Sequence, residues 1–474
     1  MRVLKFGGTS VADSAAISRV VSIVAARHGA RTVVVSALAG VTDGLLAIAA
    51  TAERDAGAAT AGLESLIARH RVVAAGLQCD YARRMLDPAI DGIARGAAAV
   101  IRAMADGGMT PPLVDRLVAC GELWSSRLVA TAFVEAGIPA QWIDARHVMR
   151  TDGRHGEAAP DLDATEKAVT RLVRPALALD RIAVLGGFIG SGPDGATTTL
   201  GRGGSDYTAA VMGACLLAEE IEIWTDVDGV LTADPRVVPG ARVMPSLSYE
   251  DAATLATFGA KVLHPKTIEP AAALEIPVRV LNSRRPSAAG TRIDAAGDAA
   301  GYTAVASRHG LCLLELNANT RPAAHGFAAR ALQSLADAGI GVVLGEVHHE
   351  RLTVAVDGAT DVAALRARVA GFASVRSRDG LSAVCAVGDQ LASDPTAIAG
   401  ALALFQDGPI HLVARPGGPA AFVVIVDDRH AHAIVARLHA SFLADAVPAS
   451  VGLADTVPAV PLSESFDAQA GMAS

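Results

Sequence analysis

Met1-Arg2-Val3-Leu4-Lys5-Phe6-Gly7-Gly8-Thr9-Ser10 opens the chain. Val3–Phe6 reads as a short strand, and Gly7-Gly8-Thr9-Ser10 reads as the turn that carries it into a helical pattern over Ser14–Arg27. A strand that passes through glycines onto a helix N-terminus can turn several backbone N–H groups toward one anion. The lysine precedes the glycines and GxxxxGK[ST] is absent, so this is not a Walker A loop. The local pattern fits either a phosphate cradle or a plain strand-to-helix turn. Lys5 is one of four lysines among 41 basic residues, the rest being arginine. Two of the four, Lys5 and Lys261, stand beside glycine-containing turns, where a compact ammonium suits a phosphate.

The same rhythm continues outward. Strand-like Thr32–Ala37 precedes helical Gly44–Ala56, the stretch from about 60 to 135 is Ala/Leu/Arg-rich and helical, and strand runs return at Ile182–Phe188, Ile221–Thr225 and Val278–Leu281. Alternation of this kind predicts an α/β domain with a largely parallel sheet over residues 1–285. The Arg284–Gly290 stretch, rich in turn formers, predicts a boundary, with 286–302 as linker. Beyond it, a layout of strand, helix, strand, strand, helix occurs twice at a period of about 70 residues. The first copy runs through Leu311–Leu316, Phe327–Ala338, Ile340–Val347, Leu352–Val356 and Val362–Phe372, with a closing strand near Ser374–Arg378. The second runs through Leu381–Val387, Thr396–Phe405, Ile410–Ala414, Ala421–Val426 and His430–Phe442. The tail from 444 to 474 is poor in basic and rich in small residues and is expected to be disordered.

Composition excludes several classes of function. The chain has 474 residues, 51% hydrophobic and 19% charged, with a net charge of -8 and no basic run, so nucleic acid is not an expected partner. Charged residues or glycine interrupt every long apolar run, so no segment is expected to reach the roughly 20 residues that span a bilayer. Five widely spaced cysteines without a CxxC pair argue against a disulfide framework or a zinc site and fit a reducing cytoplasm. The immediate strand at the N-terminus is unlike a signal peptide, and residue 1 is expected to begin the fold.

Four further clusters carry candidate chemistry. Thr199-Leu200-Gly201-Arg202-Gly203-Gly204-Ser205-Asp206 is a second glycine-rich loop before a helix, in which Ser205 or Asp206 can cap the helix and Arg202 offers a planar fork for a carboxylate. Strand Ile221–Thr225 empties into Asp226-Val227-Asp228-Gly229 and then Ala233-Asp234-Pro235-Arg236, placing carboxylates where α/β folds bind ligands, although Asp-Gly and Asp-Pro are also turn formers. Phe258–Pro265 holds Lys261 in a short helical or turn segment. Glu122 lies in an apolar stretch, and a buried acid needs a partner, which a substrate amine or a nearby arginine such as Arg116 or Arg127 would supply.

Together KFGGTSV (5–11), SALAGVTD (36–43), GEL (121–123), TTTLGRGGSDYTAA (197–210), WTDVDGV (224–230), TADPR (232–236) and FGAKVLHP (258–265) resemble the aspartokinase branch of the amino-acid kinase family, over residues 1 to about 442. The resemblance implies an α/β/α sandwich followed by two βαββαβ ACT modules of ferredoxin-like form. These would be 311–380 and 303–310 plus 381–443, the strand Thr303–Ser307 completing the second module. It implies transfer of the ATP γ-phosphoryl group, with Mg²⁺ bound to the nucleotide, to the side-chain carboxylate of L-aspartate, the first step toward lysine, threonine and methionine. By position, Lys5, Gly7 and Gly8 would hold the phosphates. Thr42, Glu122, Arg202, Ser205 and Asp206 would surround aspartate, with Asp206 near the reacting end, and Thr225, Asp226, Arg236 and Lys261 would line the nucleotide. No metal-ligand set is implied.

Two departures stand out. Leu231 replaces a tyrosine common in the family's nucleotide loop. In the first module, Gly341-Val342-Val343 and Gly345-Glu346-Val347-His348 replace the Ser-Val-Asp and Thr-Ser-Glu of lysine-sensitive relatives. Weak or absent lysine inhibition at that module is expected, although an amino-acid effector is implied for ACT modules generally. Their pairing across subunits implies a homodimer or a dimer of dimers. The alternatives are an amino-acid kinase for another acidic substrate or a specialised pathway, and a catalytically silent amino-acid sensor.

Overall fold

Strand β1 (Arg2–Phe6) runs through the middle of an eight-stranded sheet, which is why Val3, Leu4 and Phe6 are fully buried. Its partners are β2 (Arg31–Val35), β3 (Ala140–Trp142), β4 (Ile182–Gly186), β7 (Glu220–Thr225), β8 (Ser246–Ser248), β9 (Val278–Asn282) and β10 (Thr291–Asp294). A separate hairpin joins β5 (Ile189–Ser191) and β6 (Thr197–Thr199). The large sheet has the order β3-β4-β2-β1-β7-β9-β10-β8, and every pairing is parallel except β9 with β10. This is a computed structural model, and it describes residues 1–77, 80–260, 265–297, 304–319, 326–388, 391, 395–415 and 421–444.

Successive strand residues face opposite sides, and both sides are covered. Val3, Val34, Ala183, Leu185, Ile221 and Ile223 pack toward helix Gly204–Leu216. Leu4, Phe6, Val33, Val35, Val184 and Trp224 pack toward helices Ser14–Ala25 and Pro111–Glu135. Burial on two faces explains the continuous apolar runs of the strands. The result is an α/β/α sandwich whose parallel strands β1, β2, β4 and β7 all end on one side.

The helical middle is three long helices, Ala56–Ala75, Asp80–Gly107 and Pro111–Glu135. The last corrects the expectation that no segment is long and apolar enough to cross a bilayer. It passes that test among the described residues, yet 83% of its apolar window is buried inside the protein, as befits a core helix. The expected linker 286–302 also needs correction: Arg284–Gly290 is a hairpin turn, and β10 returns antiparallel to β9, so the large sheet continues through Asp294. Residues 298–303 lie outside the described residues.

The C-terminal part forms one antiparallel six-stranded sheet from β11 (Ala304–Ala318), β12 (Val342–Val347), β13 (Arg351–Asp357), β14 (Ala373–Val387), β15 (Leu412–Ala414) and β16 (Ala421–Asp427), in the order β12-β13-β11-β14-β16-β15. The strands expected as separate pieces of two modules are fused. The first part of β11 pairs with the last part of β14 (Ala304↔Val387), and the last part of β11 with the first part of β14 (Ala318↔Ala373). The fused strands turn from one module to the other at Gly310 and Gly380, both with left-handed φ of 70° and 74°. Each module keeps its own helix-covered core, Cys312, Leu314, Phe327 and Leu335 in one and Val305, Val384, Phe422 and Leu438 in the other.

This sheet is docked onto the N-terminal part. Val305 N donates to Thr232 O at 2.8 Å, and Arg308 Nη1 donates to Thr257 O at 3.1 Å. Ala233, Val237, Val238 and Ala241 pack into the second module's core. The expected disordered tail, apart from Ala444 at the end of the last helix, lies outside the described residues, as does Cys79.

Candidate active site

The site is assembled where β1, β2, β4 and β7 end, the side on which open α/β sheets bind ligands. Lys5 shares the face of Val3 and therefore points at helix Gly204–Leu216, where its Nζ lies 2.5 Å from Asp206 Oδ1. The helix N-cap is Gly203, left-handed at φ 73°, and no side chain caps it. The expected capping by Ser205 or Asp206 is thus corrected: both lie inside the first turn, and the Asp206 carboxylate is committed to Lys5.

The loop after β1 is packed against its neighbours. Gly7 N donates to Trp224 O at 3.0 Å and Ala39 N donates to Gly8 O at 3.1 Å. A Cβ on Gly8 would come within 2.8 Å of the Ala37 carbonyl, so this glycine permits the two loops to touch. The Gly7 amide contact also places the first glycine loop beside the end of β7, next to Thr225 and Asp226.

Glu122 is 3% exposed and projects from the Pro111–Glu135 helix. Gly186 makes room for it, since a Cβ there would stand 2.9 Å from Glu122 Cβ. Glu122 Oε1 accepts from Ala37 N at 3.1 Å, while Oε2 has no partner. Burial pushes its carboxyl up to about 8, against the opposing pull of the Ala37 amide and the Lys5 charge. Neither Arg116 nor Arg127 is paired with it; Arg127 lies over the Trp142 ring.

A cavity of about 550 Å³ lies between these groups, lined by Lys5, Thr42, Glu122, Arg202, Ser205 and Asp206, all six expected around the amino acid or the reacting phosphate. Arg202 is exposed between Gly201 and Gly203, both left-handed, and has no ion pair among the described residues. The cavity wall also includes Ser36, Asp43 and Thr199, which lie in the quoted motifs without an assigned role, and Asp115 and Phe188, which sequence reasoning missed. Phe188 holds a left-handed φ of 66°, unusual for an aromatic residue, with its amide donating to Thr208 Oγ1 at 3.0 Å. No sequence signal marks that strain.

The nucleotide candidates lie outside this cavity. Thr225 Oγ1 is 3.3 Å from Asp226 Oδ1 at the end of β7, and Asp226 is exposed. Arg236 is exposed and turned onto Asp234, with Nη2 2.5 Å from Oδ2. Asp228 is bound by Asn282 Nδ2 at 2.7 Å and by Arg285. Lys261 lies outside the described residues. The arrangement therefore has two compartments that meet at Lys5. One is an open-sided pocket with a cation, an orphaned carboxylate oxygen and a guanidinium that has no ion pair among the described residues; the other is a strand end beside a glycine loop.

Comparison with known proteins gives the same frame. The amino acid kinase family matches residues 1–282. The chain is 36% identical over 398 residues to lysine-sensitive aspartokinase 3 of Escherichia coli (strain K12), covering 82% of this chain and 87% of that one. It is 37% identical over 295 residues to a chloroplastic bifunctional aspartokinase/homoserine dehydrogenase 1 of Arabidopsis thaliana, covering 61% of this chain and 32% of the relative. The match thus spans about a third of that bifunctional protein's length. The crystal structure of E. coli aspartokinase III in complex with aspartate and ADP (R-state) is similar over 94% of this chain and 99% of that one, with TM-score 0.85 and 33% identity.

Proposed function

The chain belongs to the amino acid kinase family, and from that premise we propose how it acts as an aspartate kinase, moving the γ-phosphoryl group of ATP to the side-chain carboxylate of L-aspartate to give 4-phospho-L-aspartate and ADP. The reaction serves aspartate-family amino-acid synthesis. The observation that carries the assignment of roles is the cavity in which Lys5, Asp206, the unpartnered Glu122 Oε2 and Arg202 converge.

An amino acid carries one ammonium and one α-carboxylate, and the pocket offers a complement to each. Glu122 Oε2 receives the ammonium, which supplies the partner a buried acid requires. Arg202 receives the α-carboxylate through a planar two-donor contact. Thr42 and Ser205 supply hydroxyls to the remaining oxygens. The side-chain carboxylate then faces Lys5 and Asp206, and one of its oxygens attacks the γ-phosphorus while the ADP oxygen leaves. No covalent enzyme intermediate is needed, because positioning and charge stabilisation carry phosphoryl transfer.

Lys5 with the Gly7–Gly8 turn holds the phosphates, and Thr225, Asp226, Arg236 and Lys261 line the nucleotide. Mg²⁺ would arrive on the ATP phosphates. The carboxylates of Asp206 and Asp226 are oxygen donors of the kind such a cation takes, and it would spread the phosphate charge. The pairing pattern supports a division into a catalytic part and two ACT modules, 311–380 and 303–310 plus 381–443. ACT modules that pair across subunits would make the molecule a homodimer or a dimer of dimers, acting in the cytoplasm with an amino-acid effector.

The test is ADP release with Mg-ATP and L-aspartate, repeated with L-glutamate and with Lys5→Ala. Turnover that depends on aspartate and is lost in Lys5→Ala is expected. Faster turnover with glutamate would move the assignment to another acidic substrate, and binding of amino acids without turnover would make the chain a sensor.

A further inference from the structure

Asp115 sits on the helix that bears Glu122, two turns before it, and is 1% exposed. A carboxylate at that depth needs donors. It receives them from two separate loops of the cavity wall. His155 Nδ1 lies 2.8 Å from Oδ2, the Gly156 amide lies 3.2 and 3.1 Å from Oδ1 and Oδ2, and Thr199 Oγ1 donates to Oδ1 at 2.6 Å. The two loops are also joined to each other, since Ala158 N donates to Thr199 O at 2.9 Å and Gly201 packs on Gly156 and Glu157.

One carboxylate therefore fastens strand β6, just before Gly201-Arg202-Gly203, to the helix that presents Glu122. Between this anchor and the Gly203 N-cap, Arg202 stands on two left-handed glycines with no partner of its own among the described residues. A guanidinium on such a loop loses conformational freedom when it closes on a carboxylate, and an anchored loop base reduces that cost.

We propose that Asp115 is a positioning residue for the amino-acid substrate, acting through Thr199 and the 155–157 loop to hold Arg202 over the cavity at a fixed distance from Glu122. This rests on the assignment of Arg202 to the substrate α-carboxylate given above. The competing role is a staple that stabilises the fold and leaves recognition untouched.

The two roles part in a double-mutant cycle on the full chain, read by steady-state ADP release with aspartate and Mg-ATP each varied. Asp115→Asn is expected to raise KM for aspartate about tenfold while KM for ATP moves less than about twofold. Thr199→Val removes one donor, leaves the carboxylate with His155 and Gly156, and is expected to raise KM for aspartate about threefold. It keeps the test open if Asp115→Asn fails to fold. In an Arg202→Ala background, either change should add less than about twofold, because groups that act through one another are not additive. Equal increases in both KM values, or the same increase with Arg202 absent, would overturn the proposal and leave the staple. Aspartate turnover insensitive to Arg202→Ala would instead bring down the assignment on which it rests, and no aspartate turnover in the unmodified chain would bring down both.

Discussion

Lys5 Nζ and Asp206 Oδ1 stand 2.5 Å apart, joining the central strand of the sheet to the helix that follows the second glycine loop. Both side chains are largely withdrawn from solvent, so breaking the pair leaves a poorly hydrated charge. Lys5→Ala removes the ammonium at the meeting point of the two compartments, and a loss of turnover of about a hundredfold or more is expected. Lys5→Arg should not restore it, because a planar fork does not reproduce a compact ammonium beside Gly7. Activity of Lys5→Ala within a few-fold of the unmodified chain would show that Lys5 is structural.

Glu122 predicts a pH dependence with a defined sign. Its folded pKa of about 8 lies above the model-peptide 4.5, so the folded chain holds a proton that the unfolded chain releases. Its contribution to stability is therefore complete below the ordinary carboxylate value and lost as pH rises toward about 8. The substrate ammonium reverses the preference by favouring the ionised form. Aspartate binding near pH 7 should release up to about one proton, measurable by calorimetry in buffers of different ionisation enthalpy. Glu122→Gln should abolish the release and weaken aspartate binding. Proton release unchanged in that variant would assign the proton to another group.

Much of this was legible in the residues, for physical reasons that also mark where reading fails. The central strands β1, β2, β4 and β7 are buried on both faces, and that burial requires the apolar runs that make them visible. Turn chemistry was legible but ambiguous: Gly290 terminates a hairpin within the sheet, where a Cβ would meet the Val280 carbonyl at 2.2 Å, and a linker would use the same residues. Gly310 and Gly380 look like strand breaks and instead let two long strands turn between modules. Lys5, Glu122 and Arg202 stood out as charges beside glycines or in apolar sequence. Asp115 and Thr199 did not, because their role comes from a contact between residues 84 positions apart.

Lysine should inhibit this enzyme weakly, although the similar E. coli protein is lysine-sensitive by name. At β12, Gly341 and Val343 stand where the resemblance puts the serine and aspartate of lysine-sensitive relatives, and Gly345-Glu346-Val347-His348 stands in place of their Thr-Ser-Glu. Gly345 leaves no room for a side chain, since a Cβ would lie 2.7 Å from Val354 Cγ1 and 2.9 Å from the Thr353 carbonyl. Gly345→Ser is accordingly expected to lower the melting temperature without creating inhibition. Half-inhibition of the unmodified chain by sub-millimolar lysine would overturn this expectation.

The loop that follows Asp226 is held from both sides of the molecule, and that attachment should set ATP affinity. Thr232 Oγ1 lies 2.9 Å from His439 Nε2 on the last helix of the second module, while the Arg242 amide donates to the same hydroxyl at 2.9 Å. With the hydroxyl already accepting from Arg242, its own proton is free for a neutral imidazole. Burial, with a smaller push from Arg242, holds His439 below the usual histidine range, which keeps the ring neutral at physiological pH. A base with a depressed folded pKa contributes stability that is complete above the ordinary value of 6.5 and is lost as pH falls toward the folded value. Thr232→Val should therefore cost about 1 kcal/mol of stability. It should raise KM for ATP a few-fold, leave KM for aspartate nearly unchanged, and weaken the fall in ATP affinity on acidification. The loop carries Leu231 and Arg236 but none of the cavity residues, so a parallel rise in both KM values would mean that the second module bears on the whole active site rather than on the nucleotide side alone.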